Sequence, residues 1–173
     1  MVQNKGLGKL GSKCSGNDLR QALRRLAKAV VVITSRHEGK RHAMAATAVS
    51  KLSMEPPSML ICVNKSASLH PVFSAGAGFC INILHDSQAN IAGICGGGAK
   101  GEARFETGEW IDDGADLPRL AGAQASIVCS NELNIEYGSH TIFIGKAEEV
   151  FLFGDVNPLV YVDGRYTATG REV

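Results

Sequence analysis

The stretch Ala43-Met-Ala-Ala-Thr-Ala-Val-Ser-Lys51 combines small side chains with two hydroxyls. Small side chains let a flat ring approach the backbone, whose N–H groups, with the Thr47 and Ser50 hydroxyls, can bond ring carbonyls and nitrogens. The same composition also suits a strand packed tightly for core reasons alone. One strand further on, Asn64-Lys65-Ser66-Ala67-Ser68 offers a cation, two hydroxyls and loop amides. In chemical terms that is a phosphate cradle, and in structural terms a solvated turn. Gly138-Ser139-His140 sets a histidine at the start of a strand, where it can face a pocket and donate to a carboxamide, or simply pack. In Arg104-Phe-Glu-Thr-Gly-Glu-Trp110, Phe105 and Trp110 can stack on a ring or cover a barrel end. Arg165 and Tyr166, in Pro158-Leu-Val-Tyr-Val-Asp-Gly-Arg-Tyr166, supply a cation for phosphate or carboxylate and a ring for stacking, or a solvated turn.

Other chemistries lack their residues. No G-x-G-x-x-G follows a strand, and Gly96-Gly-Gly98 reads as a flexible loop. There is no Walker lysine, G-x-S-x-G elbow or H-E-x-x-H. His37, His42, His70 and His85 are scattered and form no metal-ligand pair. The five cysteines, Cys14, Cys62, Cys80, Cys95 and Cys129, include no C-x-x-C pair, and three lie in apolar runs. They read as free thiols in a reducing compartment, with no metal expected. A formal net charge of +1 over 173 residues gives no argument for nucleic acid or a membrane surface. No run of apolar residues is long enough to span a bilayer. Residues 1–16 are basic and Gly-rich without an apolar h-region, and read as a flexible arm, not a secretory signal. Residues 17–173 then form one domain, expected in the cytoplasm.

Elements must position these groups. Leu19, Leu23, Leu26 and Val30 recur at three- and four-residue spacing with Arg20, Gln21, Arg24 and Arg25 between them, and Asn17 or Asp18 can cap. This predicts one amphipathic helix. It runs into Ala29-Val-Val-Val-Ile-Thr34, a β-branched strand. His37-Glu-Gly-Lys40 reads as a hairpin turn with Gly39 at positive φ. Strands are expected near 41–50, 58–63 and 78–84, with a short helix opening at His70-Pro71 and another over 86–95. Residues 99–120 read as loop or short helix. Long strands over 124–136 and 140–153 flank a Tyr137-Gly-Ser139 turn. A final strand, 158–162, turns at Gly164 into 165–168. About seven strands without β-α-β alternation argue against a doubly wound parallel sheet. They favour a mainly β fold, a barrel of mostly antiparallel strands with a few peripheral helices.

Taken in order along the chain, these segments resemble the short-chain flavin reductases, the reductase components of two-component flavin-dependent monooxygenases. The resemblance covers roughly residues 18–170. It is carried by Val-Val-Ile-Thr34, Ala46-Thr-Ala-Val-Ser50, Pro-Pro57, Leu-Ile-Cys-Val63, Asn64-Lys-Ser-Ala-Ser68, Cys80-Ile-Asn-Ile-Leu84, Arg104-Phe105, Gly-Ser-His140 and Gly-Arg-Tyr166.

The resemblance implies a split β-barrel of the FMN-binding type with a flavin at a homodimer interface. It implies that Ala46, Thr47, Ala48, Val49, Ser50, Lys51 and Leu52 lie near the ring, and Asn64, Lys65, Ser66, Ala67 and Ser68 near phosphates. Arg104 and Phe105 match a loop that closes over the flavin. Ile33, Thr34, His140, Arg165 and Tyr166 match positions near the nicotinamide. Many relatives read Gly-Asp-His where this chain has Ser139, so a carboxylate that holds the histidine does not transfer. The implied reaction is hydride transfer from C4 of NADH, or NADPH, to N5 of FAD or FMN. His140 is the catalytic candidate, as orienter of the nicotinamide or proton donor, and reduced flavin would go to a separate oxygenase. Two rival readings share the barrel: a non-catalytic flavin store or sensor, and an oxidase of a phosphorylated vitamin B6 compound.

Overall fold

The structure, a computed structural model, describes residues 13–112 and 117–169. Its main sheet has seven antiparallel strands: β2 (Val31–His37), β3 (Lys40–Ala46), β4 (Val49–Met54), β5 (Pro57–Asn64), β6 (Phe79–Ile83), β9 (Ala125–Tyr137) and β10 (His140–Leu152). Their spatial order is β3-β2-β6-β9-β10-β5-β4. The two edge strands, β3 and β4, are consecutive in the chain and joined by Thr47 and Ala48 alone. A link this short forces the two edges of the sheet together, so the sheet curls into a barrel. β3 and β4 do not pair, which leaves the barrel split along that seam. Bulges assist the curl: the β9–β10 register shifts between Ile144 and Gly145 and again between Ala147 and Glu149, and β4–β5 shifts between Lys51 and Ser53.

The β-branched run of residues 30–34 is explained by burial on both faces. Val31 and Ile33 point into a core with Ile61, Val63, Phe73, Phe79, Ile81 and Phe143. Val30 and Val32 join a second core with Leu84, Ile91, Phe105, Leu120 and Leu159 on the other side of the sheet. Asn82 is fully buried and polar, yet satisfied. Its Nδ2 donates to the Val32 carbonyl at 3.1 Å, and its Oδ1 accepts from the Leu120 N–H at 2.9 Å and the Ser126 hydroxyl at 2.8 Å.

The expected hairpin turn forms, with Glu38 and Gly39 both at positive φ (50° and 72°). Several boundaries differ from the sequence reading. Helix α1 is Gly16–Leu23, and its N-cap is Ser15, not Asn17 or Asp18. The Ser15 hydroxyl accepts from the Asp18 N–H, and the Asp18 carboxylate accepts from the Ser15 N–H, a reciprocal capping box. Val30 belongs to the sheet core and not to the helix. Of the expected arm, residues 1–12 lie outside the described residues, and Gly16 already opens the helix.

The strand expected over 41–50 is broken at Thr47–Ala48. The helix expected over 86–95 is α3 (Ala89–Gly93) between a 3₁₀ turn and a π turn, Ile94–Gly98, so Gly96-Gly-Gly98 is ordered helix end, not loose loop. The short helix α2 is His70–Ser74. A small sheet pairs β1 (Lys28–Ala29) with β11 (Val160–Val162) and β12 (Arg165–Thr167). Two-residue strands β7 (Trp110–Ile111) and β8 (Arg119–Leu120) pair in the segment read as loop. Among the described residues no helix is long and apolar enough to cross a membrane.

Candidate functional site

The seam of the barrel opens into a cavity of ≈360 Å³. Its floor is the end of β3 and the link to β4: Met44, Ala45, Ala46, Thr47 and Ala48. Cys62 and Asn64 on β5 form one wall, and the Ala48 carbonyl accepts from the Cys62 N–H at 2.9 Å, which fastens the link to β5. His140 stands at the mouth because β10 pairs with β5 in the register His140–Asn64. Val30, Gly96, Tyr161 and Tyr166 complete the lining. The two tyrosines face each other across β11 and β12 with ring centroids 5.6 Å apart at 60°.

Three of the five floor residues are alanines, and Gly96 lies over them. A Cβ placed on Gly96 would meet nothing closer than the Ala45 Cβ at 3.8 Å, so the space above Gly96 is open. A planar aromatic ring fits such a slot, with Thr47, Asn64 and His140 as the polar groups that orient it, and the volume lies within the usual range for ligand cavities. The residues present therefore suit a flavin ring. His140 Nδ1 is 2.9 Å from the Ser139 hydroxyl. Ser139 thus touches the ring nitrogen itself, and Nε2 is left for a ligand.

Of the residues anticipated from sequence, Ala46, Thr47, Ala48, Asn64, His140 and Tyr166 come together in this cavity. Thr47 and Ala48, with Val49 and Ser50, also line an adjoining cavity of ≈450 Å³. The others lie elsewhere, each for a visible reason. Lys51 and Leu52 are exposed on β4 beyond the floor. Ile33 and Thr34 are fully buried, with the Thr34 hydroxyl donating to the Pro118 carbonyl, and neither lines the cavity.

In the 64–68 loop three amides are already engaged within the protein. Lys65 N–H donates to the Ser139 carbonyl, Ser66 N–H to Asn64 Oδ1 and Ala67 N–H to the Asn64 carbonyl, each at 2.9 Å. The Lys65 ammonium lies 2.7 Å from Glu136, and neither Lys65, Ser66, Ala67 nor Ser68 lines the cavity.

Arg104 is committed to backbone, with its guanidinium donating to the carbonyls of Ala43 and Ala99. It pins the segment after the Gly96 turn onto β3 and so holds Gly96 over the floor. Phe105 is buried against Trp110, ring centroids 4.9 Å apart, beneath the Arg41 guanidinium at 4.4 Å. Arg165 is exposed and lies 3.6 Å from Asp163.

Cys62 and Gly96 escaped the sequence reading as site residues. A thiol in an apolar strand looks like core, and a glycine triplet looks like a loop. The signal that could have found Gly96 is a helix C-terminus facing a run of alanines.

Cys62 gives the cavity a reporter. Burial pushes the Cys80 and Cys129 thiols up to about 12 and the Cys95 thiol up to about 11, so at mild alkaline pH all three stay neutral as well as covered. Cys14 is exposed and Cys62 half-buried. A disulfide reagent applied to native protein is expected to label Cys14 fast and Cys62 more slowly, and to leave the other three until denaturant is added. Flavin should slow the labelling of Cys62 alone. Equal labelling of Cys62 with and without flavin would place the ligand elsewhere.

The model for the flavin reductase like domain matches residues 23–170. The chain is 34% identical over 165 residues to the reductase component of the FADH(2)-dependent resorcinol hydroxylase of Rhizobium sp. (strain MTP-10005), covering 94% of this chain and 92% of that one. It is 33% identical over 156 residues to the FMN reductase (NADH) RutF of Pantoea ananatis (strain LMG 20103), with 90% and 82% covered. The NADH:FAD oxidoreductase of Streptomyces globisporus C-1027, solved in complex with NAD and FAD fragments, superposes with a TM-score of 0.81 at 26% identity, over 89% of this chain and 92% of that one. With a split barrel, a ring-shaped slot at its seam and a family match over most of its length, this chain belongs to the flavin reductase like family.

Proposed function

We propose that the chain is an NADH-dependent flavin reductase that reduces FAD or FMN and supplies the reduced flavin to a separate oxygenase component. The observation that carries this reading is the alanine-floored slot at the barrel seam with His140 at its mouth. A flavin held there supplies the hydride acceptor, NADH supplies the hydride, and one proton from solvent completes the reduction. The protein's part is position. The Ala46–Ala48 backbone lets the ring lie close, Thr47 and Asn64 orient its polar edge, and Tyr161 and Tyr166 restrict access of water from one side. With the Ser139 hydroxyl donating to Nδ1, His140 Nε2 would carry the proton and face a nicotinamide carboxamide or the reduced ring. The open slot, with few charged contacts, suits a flavin that must leave.

The functional unit is a homodimer in this proposal. Helix α1 buries none of its residues in one chain, and Leu19, Leu23 and Leu26 are 51%, 45% and 53% exposed. The protruding β9–β10 end adds exposed Leu133 and Ile135. Five unpaired thiols suit a reducing compartment, the cytoplasm.

The test is to mix protein, FAD or FMN, and NADH or NADPH, and to follow nicotinamide absorbance. No flavin-dependent oxidation with either nucleotide overturns the proposal. In the same assay His140→Ala is expected to lower kcat about tenfold without abolishing it, because orientation is lost while the cofactors keep their chemistry. Ser139→Ala should give a smaller fall in the same parameter. A complete loss in His140→Ala would make the imidazole obligatory, and unchanged kcat and KM would remove it from the site.

A further inference from the structure

Thr47 and Tyr161 line both the ring cavity and a second one of ≈290 Å³, so the two are parts of one groove. The chemistry changes along it. Among the described residues no charged side chain of the Lys, Arg, Asp or Glu type lines the ring cavity. The second part is lined by Arg20, Arg24 and Lys28, with Asp163 as its carboxylate. That carboxylate is already shared: Arg24 Nε donates to its Oδ1 at 2.9 Å, and Arg165 lies 3.6 Å from its Oδ2. Among the described residues no carboxylate pairs with Arg20 or Lys28. Lys28 is held in place by the sheet, because β1 pairs with β11 in the register Lys28–Tyr161, opposite the tyrosine that both cavities share. Two cations with no carboxylate partner among the described residues along one groove, next to a slot for a planar ring, match a ligand with a ring at one end and phosphates further along.

We propose that Arg20 and Lys28 bind the phosphates of the adenylate half of a dinucleotide whose ring half lies in the neighbouring cavity. They thereby make the chain favour a dinucleotide over the matching mononucleotide. The inference rests on the reductase reading for the ring half only. FAD and NADH both carry an adenylate half, and 5′-ADP is the chemistry they share.

The experiment has a binding arm and a kinetic arm, both on the full chain. In the first, 5′-ADP is titrated calorimetrically with no flavin or nicotinamide present. The wild type is expected to bind, and Arg20→Gln and Lys28→Gln are each expected to weaken binding about tenfold. Arg25→Gln is the control. Arg25 sits just beyond the same helix, outside the groove, and donates to the Gln21 carbonyl, so its loss should leave ADP affinity unchanged.

In the second arm the source is identified. If the half belongs to FAD, Arg20→Gln raises the KM for FAD about tenfold and that for FMN less than about twofold. If it belongs to NADH, the KM for NADH rises with either flavin, while that for reduced nicotinamide mononucleotide does not. Absence of ADP binding by the wild type, survival of binding in both variants, or equal losses for dinucleotides and mononucleotides overturns the proposal. Should a variant fail to fold, competition by ADP against FAD or NADH on the wild type decides, and no competition with either overturns it. A chain that binds ADP through these residues yet oxidises no NADH would sink the reductase reading and leave this one standing.

Discussion

Ala48→Phe is expected to weaken flavin binding at least about a hundredfold, equivalent to about 2.7 kcal/mol, while leaving the melting temperature nearly unchanged. Ala48 lines the cavity and its neighbour, is exposed, and belongs to neither core cluster. A phenyl group there occupies the slot without displacing core side chains. Ala46 also floors the slot, but packs against the inner core, so a bulky residue at Ala46 mixes lost binding with lost stability. The contacts of this stretch to a ring are expected to be mainly backbone, and among the described residues the Ser50 hydroxyl donates to the Lys51 carbonyl alone. Thr47→Ala and Ser50→Ala are therefore expected to weaken binding severalfold at most. Fluorescence titration of flavin against the three variants reads the order directly, with circular dichroism melting alongside. Wild-type affinity in Ala48→Phe would remove the ring from this slot, whatever the fate of the reductase activity.

The parts of the fold legible in the sequence were those whose signal is local. Residues 30–34 are β-branched without alternation because both faces of β2 are buried, and the run alone predicts a strand. The Glu38-Gly39 turn and the two long strands at the C-terminal end were equally local. Pairing order was not: β6 pairs with β2 on one side and β9 on the other, and β10 pairs with β5, contacts between strands far apart in sequence.

The site is legible to the same extent. Ala46, Thr47 and Ala48 announce a close backbone approach, and the segment order announces the family. What the sequence does not hold is which groups are already engaged. Arg104 looks like a ligand for an anion and instead ties Ala99 to Ala43. The amides of Lys65, Ser66 and Ala67 look free and close a turn. Conversely, Gly96 and Cys62 carry no motif and acquire their place only when the sheet closes on itself.

Gly145→Ala is expected to be the most destabilising single methyl in the chain. Gly145 sits in β10 beside the bulge with β9, between the paired residues Asn131 and Met59. Its φ is outside the left-handed region, so the alanine backbone itself carries no strain. Packing carries the whole effect. A Cβ there would lie 2.5 Å from Phe79 Cζ, 2.8 Å from Cys129 Cβ and 2.8 Å from the Ser130 carbonyl oxygen.

None of the three can yield easily. Phe79 is fully buried and edge-on to Phe73, which is edge-on to Phe143, so a push on one ring is felt by the inner core. Overpacking of this kind costs about 3 kcal/mol, at the upper end of what added core methylenes produce. For a domain of this size that corresponds to a fall in Tm of roughly 6–12 °C.

The cavity lining is untouched by the change, so flavin affinity measured well below the transition should survive. The same barrel would then be shown to separate what makes it fold from what makes it bind. A Tm within about 2 °C of wild type would mean that Phe79 and β9 move aside, and that the inner core is softer than its contacts indicate.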